Sequence, residues 1–393
     1  MINLFKVAMS EEAVTAAANT LQSGYIGEGE KVKEFEKDLH SYFSASDNTD
    51  IITCNSATSA EHLIYHMLKS PRNLNQYFFN AYIETNWLPT NHNTEVITTA
   101  LTCTATNWPI IHNGFKIVWA DIDPRTLNIS LTDVDKKITE NTRIIQVVHW
   151  GGYPVQIDLL RDIVSKAEKK FGTRILIVED CAHAFGSKYK GEYVGFSGNL
   201  STFSTQAIKH LTTVDGGFIV SPFRQFSQEA RILRWYGIDR NQPREDFRCE
   251  LDIPEIGFKF HMNDVNASIG IENLKHINGI LDLHRHNALY YNVHLNSIPG
   301  VTLLENSLDA TSSYWLYTIL VENRSAFMRK MNDMGIMVSR VHERNDKHSS
   351  VAKFKTDLPV LDEISSKMVC IPVGWWVTTT QREYIANCIK SGW

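Results

Sequence analysis

The chain has 393 residues, 43% of them hydrophobic and 10% aromatic, with a formal net charge of −5. At roughly 100–200 residues per domain this length predicts two domains with ample core, and the slight acidity offers no long-range pull toward nucleic acid or an anionic membrane surface. The six cysteines are scattered, with neither a CxxC pair nor a zinc-like His/Cys cluster, so reduced thiols in the cytoplasm and no metal site are expected.

Residues 1–6 lack the apolar region of a signal peptide, and no run of ~18 uncharged apolar residues predicts a spanning helix. Ser10-Glu11-Glu12-Ala13 reads as a helix start, with acids in the first turn. That helix runs to about Ser23, before a loop holding Gly24, Gly27 and Gly29. Residues 31–43 carry Val32, Phe35, Leu39 and Phe43 at helical spacing, a core-facing stripe. A strand at 50–54 leads through Asn55-Ser56-Ala57-Thr58-Ser59-Ala60 into a helix ending near Leu68. Further strands are predicted at 95–99, 116–120, 143–149, 174–178, 200–204 and 217–221, with a helix at 159–170. This alternation predicts an α/β sheet covered on both faces.

Past about residue 226 helical patterns dominate, at 263–281 and 283–297. A strand at 314–321, a helix at 325–334 and a strand at 337–339 follow, which together read as a smaller α+β unit. The expected division is therefore 1–255 for a large domain and 256–393 for a smaller one. Residues 70–94, rich in Asn and aromatics, are longer than a usual connection in such a fold.

Two blocks carry chemistry. In Ile177-Val178-Glu179-Asp180-Cys181-Ala182-His183 an apolar strand ends in a carboxylate, at the edge where α/β sheets place ligands. In Phe203-Ser204-Thr205-Gln206-Ala207-Ile208-Lys209 a strand delivers a serine and then a lysine. Pyridoxal 5'-phosphate (PLP) needs such parts: an amine to bond its aldehyde and shuttle protons, and a carboxylate facing the pyridine nitrogen so that the ring draws electrons. Its phosphate needs hydroxyls and backbone N–H donors at a helix N-terminus, and the 55–60 turn supplies both. Each piece alone has a plainer explanation as a cap, a turn or a surface charge; their order makes the case.

With Gly24-Tyr25-Ile26-Gly27-Glu28-Gly29, Ala120-Asp121-Ile122-Asp123, Gly257-Phe258-Lys259-Phe260-His261-Met262-Asn263-Asp264 and Ile371-Pro372-Val373, these blocks make the chain resemble the DegT/StrS family of PLP-dependent nucleotide-sugar aminotransferases, of the fold-type I superfamily. The resemblance covers nearly the whole length. It implies a large PLP-binding domain with a mostly parallel seven-stranded sheet, as in aspartate aminotransferase, plus a smaller C-terminal α+β domain. It assigns Lys209 to the covalent link with PLP and Asp180 to the ring nitrogen. His183 would meet the phenolic oxygen, and Ser56, Ala57, Thr58 and Ser204 the phosphate, with Gln206 near the lysine. Lys259 and His261 fall in a block that in the family reaches the neighbouring subunit's phosphate, although a plain surface role explains them equally. Cys103 stands where many members place a ring that stacks on the cofactor, so that stacking must be weaker or come from elsewhere.

The implied reaction takes an amino group from L-glutamate, leaving 2-oxoglutarate. Pyridoxamine phosphate is the amino-carrying form, and the acceptor is a keto sugar on UDP, dTDP or GDP, favoured as a 4-keto-6-deoxyhexose. A homodimer, and a place in polysaccharide or O-antigen biosynthesis, go with it. The rivals are amination of a 3-keto sugar or an inositol, sugar dehydration, and a catalytically silent regulatory homologue. Lysine rather than histidine at 209 favours amino transfer. Residues 235–240 and 340–348, dense in polar and aromatic groups, are candidates for a sugar-nucleotide pocket.

Overall fold

The computed structural model describes residues 1–69, 93–243, 246 and 252–393; the unusual 70–94 segment, apart from its last two residues, and Cys249 lie outside the described residues. Helix α1 (Glu11–Ser23) starts where Ser10 Oγ accepts the Ala13 N–H at 3.1 Å and stops at left-handed Gly24. Helix α2 (Glu30–Tyr42) buries the predicted stripe of Val32, Phe35 and Leu39. Its first turn is capped from far along the chain: Asp264 Oδ1 accepts the N–H groups of Gly29 and Val32 at 2.8 and 3.1 Å.

Seven strands form the main sheet among the described residues, in the order β1-β9-β8-β5-β4-β2-β3. They are β1 (Asp50–Cys54), β2 (Glu95–Thr99), β3 (Lys116–Ala120), β4 (Thr142–Val148), β5 (Leu176–Asp180), β8 (Leu200–Ser204) and β9 (Gly217–Ser221). Strand β9 runs antiparallel to both its neighbours, and the pairs from β8 to β3 are parallel. Burial of every residue of β2 and β4 explains why these strands read as continuous runs rather than alternating ones. Helices α3 (Ala57–Lys69), α4 (Thr104–His112), α5 (Leu131–Lys137) and α6 (Ile157–Phe171) connect them, and α7 (Arg224–Leu233) follows β9. The sequence pattern did not announce α4: it contains Pro109 and lacks a polar face, because α3 and β3 pack against it. The short pair β6 (Lys188–Tyr189) and β7 (Glu192–Tyr193) forms a small separate sheet with β11 (Ala310–Thr311).

The predicted helix over 263–281 is two helices, α8 (Asp264–Leu274) and α9 (Ile277–His294). Helix α8 packs on α1 and α2. A second antiparallel sheet joins β10 (Val301–Leu303), β12 (Tyr317–Val321) and β13 (Met368–Ile371). Its core includes residues of α9, α10 (Arg324–Asp333) and α12 (Thr379–Lys390), while α11 (Pro359–Ile364) packs its Leu361 and Ile364 into the larger core. Strand β12 starts three residues later than its pattern predicts, since Tyr314 is left-handed at φ 50. The expected strand at 337–339 is reduced to isolated bridges at Ile336 and Ser339. No helix of the described residues is long and apolar enough to cross a membrane.

Candidate active site

The sheet order brings the two chemical blocks together. Adjacent parallel strands β5 and β8 place Asp180 opposite Thr202, both at the carboxyl edge. Beyond Ser204 the chain turns back on itself, closed by Thr213 N–H to Thr205 O at 2.8 Å and by their hydroxyls at 2.6 Å. Lys209 projects from this loop, with Nζ 3.6 Å from the centroid of the Trp315 ring, a cation–π distance. Burial pulls its amine down to about 8, while Asp180 and Cys103 act in the opposite direction. A substantial neutral fraction at physiological pH is what a nucleophilic amine requires.

Asp180 is buried, and its two oxygens accept from Thr106 Oγ1 at 2.7 Å and the Ala182 N–H at 2.9 Å. His183 is also buried and stacks on Trp315, with centroids 4.0 Å apart, and lies parallel to His342 at 5.5 Å. Its Nδ1 accepts the Gly151 N–H at 3.4 Å, which makes Nε2 the hydrogen-bearing nitrogen of the neutral ring. Burial first, then the nearby Lys209 and His342, hold the imidazole well below its usual range. His342 is pushed down to about 4 by burial and by Lys209.

At the start of α3, Ser56 Oγ caps the turn by accepting the Ser59 N–H at 3.0 Å, and Ala57 and Thr58 occupy the first turn. Gly217 lies against it so tightly that a Cβ there would sit 2.4 Å from Ala57 N and 2.6 Å from Phe203 O. The cradle of helix N-terminus, hydroxyls and bare backbone fits a phosphate, and a buried amine acted on by a buried carboxylate fits the rest of PLP. Ser204 accepts the Gln206 N–H at 3.3 Å, and Gln206 accepts the Ile208 N–H at 3.1 Å. Gln206 is therefore a turn residue with an exposed side chain.

The 259–261 segment pairs with the end of β1: Asn55 donates to Phe260 O at 2.6 Å and to Lys259 O at 3.1 Å, and Cys54 bridges His261. Lys259 is exposed, and the His261 ring lies 3.7 Å from that of Trp235. Cys103 precedes α4, half-buried. The aromatic ring against Lys209 is thus Trp315, from just before β12. Of the two polar segments singled out in the sequence, 340–348 reaches the site: His342 joins the ring stack, and Asn345 Nδ2 donates to Thr102 O at 2.8 Å. Trp315, Thr106 and Glu61 were not read from the sequence, and His342 only as part of the 340–348 segment. Of the first three only Glu61 left a signal, an acid inside the apolar stretch of α3.

The buried trio His149, Glu179 and Cys181 has the spacing of metal ligands among the described residues. However, His149 is already committed: Nδ1 accepts the Val155 N–H at 3.0 Å, and Nε2 meets Glu179 Oε2 at 3.2 Å.

Comparison with known proteins gives the family and the fold. Residues 7–390 match the model of the DegT/DnrJ/EryC1/StrS aminotransferase family. The structure superposes on the sugar aminotransferase CalS13 from Micromonospora echinospora with a TM-score of 0.91 at 40% identity, covering 100% of both chains. Spr1654 from Streptococcus pneumoniae, solved in its PLP form, aligns with a TM-score of 0.85 at 25% identity over 99% of this chain and 98% of that one. The dTDP-4-dehydro-2,3,6-trideoxy-D-glucose 4-aminotransferase of Saccharopolyspora spinosa is 26% identical over 347 residues, 86% of this chain and 83% of its own.

Proposed function

Because this chain belongs to the DegT/DnrJ/EryC1/StrS aminotransferase family and is a PLP-dependent sugar aminotransferase, we propose that it moves an amino group from L-glutamate to C4 of a 4-keto-6-deoxyhexose carried on dTDP, UDP or GDP. The observation that carries this reading is the depressed amine of Lys209 in the field of Asp180, beside an aromatic wall of Trp315, His183 and His342. The named activity of the Saccharopolyspora relative supports the C4 position and the dTDP carrier.

When bound, PLP supplies the electron sink and the carrier for the amino group. Lys209 would be the residue that holds the cofactor and, once freed by the amino donor, the base that moves a proton from the donor carbon. Asp180 would pair with the ring nitrogen and keep it protonated. His183 would offer Nε2–H to the phenolic oxygen. The first turn of α3, with Ser56, Ala57 and Thr58, and Ser204 would hold the phosphate. Cys103 would pack against the ring, and Gln206 shapes the lysine loop. Over the whole reaction L-glutamate leaves as 2-oxoglutarate and the sugar's keto oxygen is replaced by an amine. We assign residues 1–255 to the PLP unit and 256–393 to the smaller unit. In a cytoplasmic homodimer, Lys259 or His261 would reach the neighbouring phosphate.

The test is incubation of the PLP-loaded protein with L-glutamate and a panel of keto-sugar nucleotides, read by mass spectrometry. A 4-amino sugar nucleotide and stoichiometric 2-oxoglutarate are expected. Amination confined to another carbon, or loss of water without nitrogen gain, would overturn the C4 assignment.

A further inference from the structure

We propose that Glu61 is a positioning residue of this site: a neutral carboxylic acid that donates its one proton to Asp180 and so holds that carboxylate in the orientation that faces the cofactor ring. The inference deepens the proposed function and rests on it for the ring; the hydrogen bond between the two acids does not depend on any ligand.

Helix α3 buries Ala60, Leu63, Ile64, Tyr65, Met67 and Leu68, and Glu61 among them, only 2% exposed. An apolar side chain there would avoid the cost of burying a carboxyl group, so its presence calls for a partner. One oxygen, Oε1, accepts from Thr202 Oγ1 at 3.2 Å, and Gln146 also contacts the group. The other oxygen, Oε2, is met by no donor among the described residues. Among the described residues the carboxyl also meets the carboxylate of Asp180. Two carboxyl groups can hydrogen-bond only when one of them carries a proton.

The surroundings decide which one does. Both oxygens of Asp180 are already committed as acceptors, from Thr106 Oγ1 at 2.7 Å and from the Ala182 N–H at 2.9 Å. No cation is among the largest influences on Glu61 from the described residues. The titratable groups around it are Asp180 from β5, Tyr65 from its own helix and Cys181 beyond β5, and burial together with the Asp180 charge pushes its carboxyl well above the usual range. Behind it the network is closed: Tyr65 OH donates to Gln146 Oε1, and Gln146 Nε2 donates to Thr106 O at 3.3 Å. The unpartnered Oε2 of Glu61 is therefore the atom that carries the proton toward Asp180, a third contact beside Thr106 and Ala182.

Two substitutions separate a proton donor from a space filler. Glu61→Gln keeps the shape and an N–H donor, and Glu61→Leu keeps only the bulk. PLP affinity, measured by equilibrium dialysis, should stay within about twofold of wild type in Glu61→Gln and fall about tenfold in Glu61→Leu, with kcat falling and the KM for L-glutamate unchanged. In cofactor-free protein at neutral pH, the infrared difference between wild type and Glu61→Gln should show the carbonyl stretch of a neutral, hydrogen-bonded carboxylic acid. A difference containing only ionised carboxylate bands overturns the assignment. So does a Glu61→Gln variant as impaired as Glu61→Leu, or a Glu61→Leu variant that matches wild type. If wild-type protein took up no PLP, the cofactor reading would fail instead, and the infrared band alone would decide the hydrogen bond. It also decides should Glu61→Leu fail to fold.

Discussion

At the scale of single residues, the ionisation of Lys209 connects structure to chemistry. Its amine lies at about 8 in the folded protein against 10.5 when solvated. Attack on an aldehyde needs the neutral amine, so PLP capture by cofactor-free protein should quicken about tenfold per pH unit below that value and level off above it, as stopped-flow absorbance would record. The same shift acts on stability. Between pH 8 and 10.5 the unfolded lysine holds a proton that the folded one has released, so stability rises with pH across this window and the full penalty applies below it. Lys209→Met should therefore abolish turnover and yet raise the melting temperature of the cofactor-free protein at pH 7, an advantage that shrinks toward pH 10.5. Equal melting temperatures of the two proteins at pH 7 would contradict the burial of the amine.

At the scale of elements, the site depends on how closely backbones meet. Gly217 lets β9 touch the first turn of α3, and Gly217→Ala would drive a methyl into Ala57 N and Phe203 O, backbone on both sides. A loss of about 1–3 kcal/mol in denaturant unfolding is expected, together with weaker PLP binding by dialysis, because the turn that cradles the phosphate must move. A second junction lies away from the cofactor. Ser10 caps α1 and also donates through N and Oγ to Asn273 Oδ1 at 3.1 Å, while Asn273 Nδ2 donates to Thr212 O at 2.9 Å, behind the lysine loop. Ser10→Ala should cost about 1 kcal/mol and leave kcat unchanged, since Asn273 keeps its grip on the loop. A large fall in kcat would show that α1 helps to hold the lysine loop in place.

At the scale of the molecule, Tyr25, Ile26 and Ile256 are exposed large apolar side chains. They flank the stretch that pairs with β1, since Asp264 N–H donates to Gly27 O at 2.8 Å and Ile256 leads into Lys259. Exposed rings and branched chains of this kind would suit the interface of the proposed homodimer. If the proposed homodimer forms through this face, the double substitution Tyr25→Asp with Ile256→Asp should convert it to a monomer in sedimentation and lower PLP retention, with the far-UV dichroism intact. A dimer that survives would place the interface elsewhere. Legibility also divides along these lines. The seven main strands were read within about two residues, because buried parallel strands leave short apolar runs between turns. Helix α4 was not, because a helix covered on both sides leaves no period. The 263–281 pattern hid a break, because α8 and α9 are both apolar on the faces that meet the core.

The sequence by itself determined the alternating α/β class and the chemical inventory: a strand ending in Asp180, a loop carrying Lys209, a small-residue turn before α3. Local spacing encodes these, since each needs only neighbours along the chain. Tertiary structure decided what surrounds them. Trp315 meets Lys209, His342 meets His183, and Glu61 meets Asp180 only because the order β1-β9-β8-β5 sets α3 over β9 and β8, beside the strand that bears Asp180, and because the chain entering β12 folds against the carboxyl edge. Contacts between residues this remote in sequence follow from strand order and helix packing, which no local periodicity specifies.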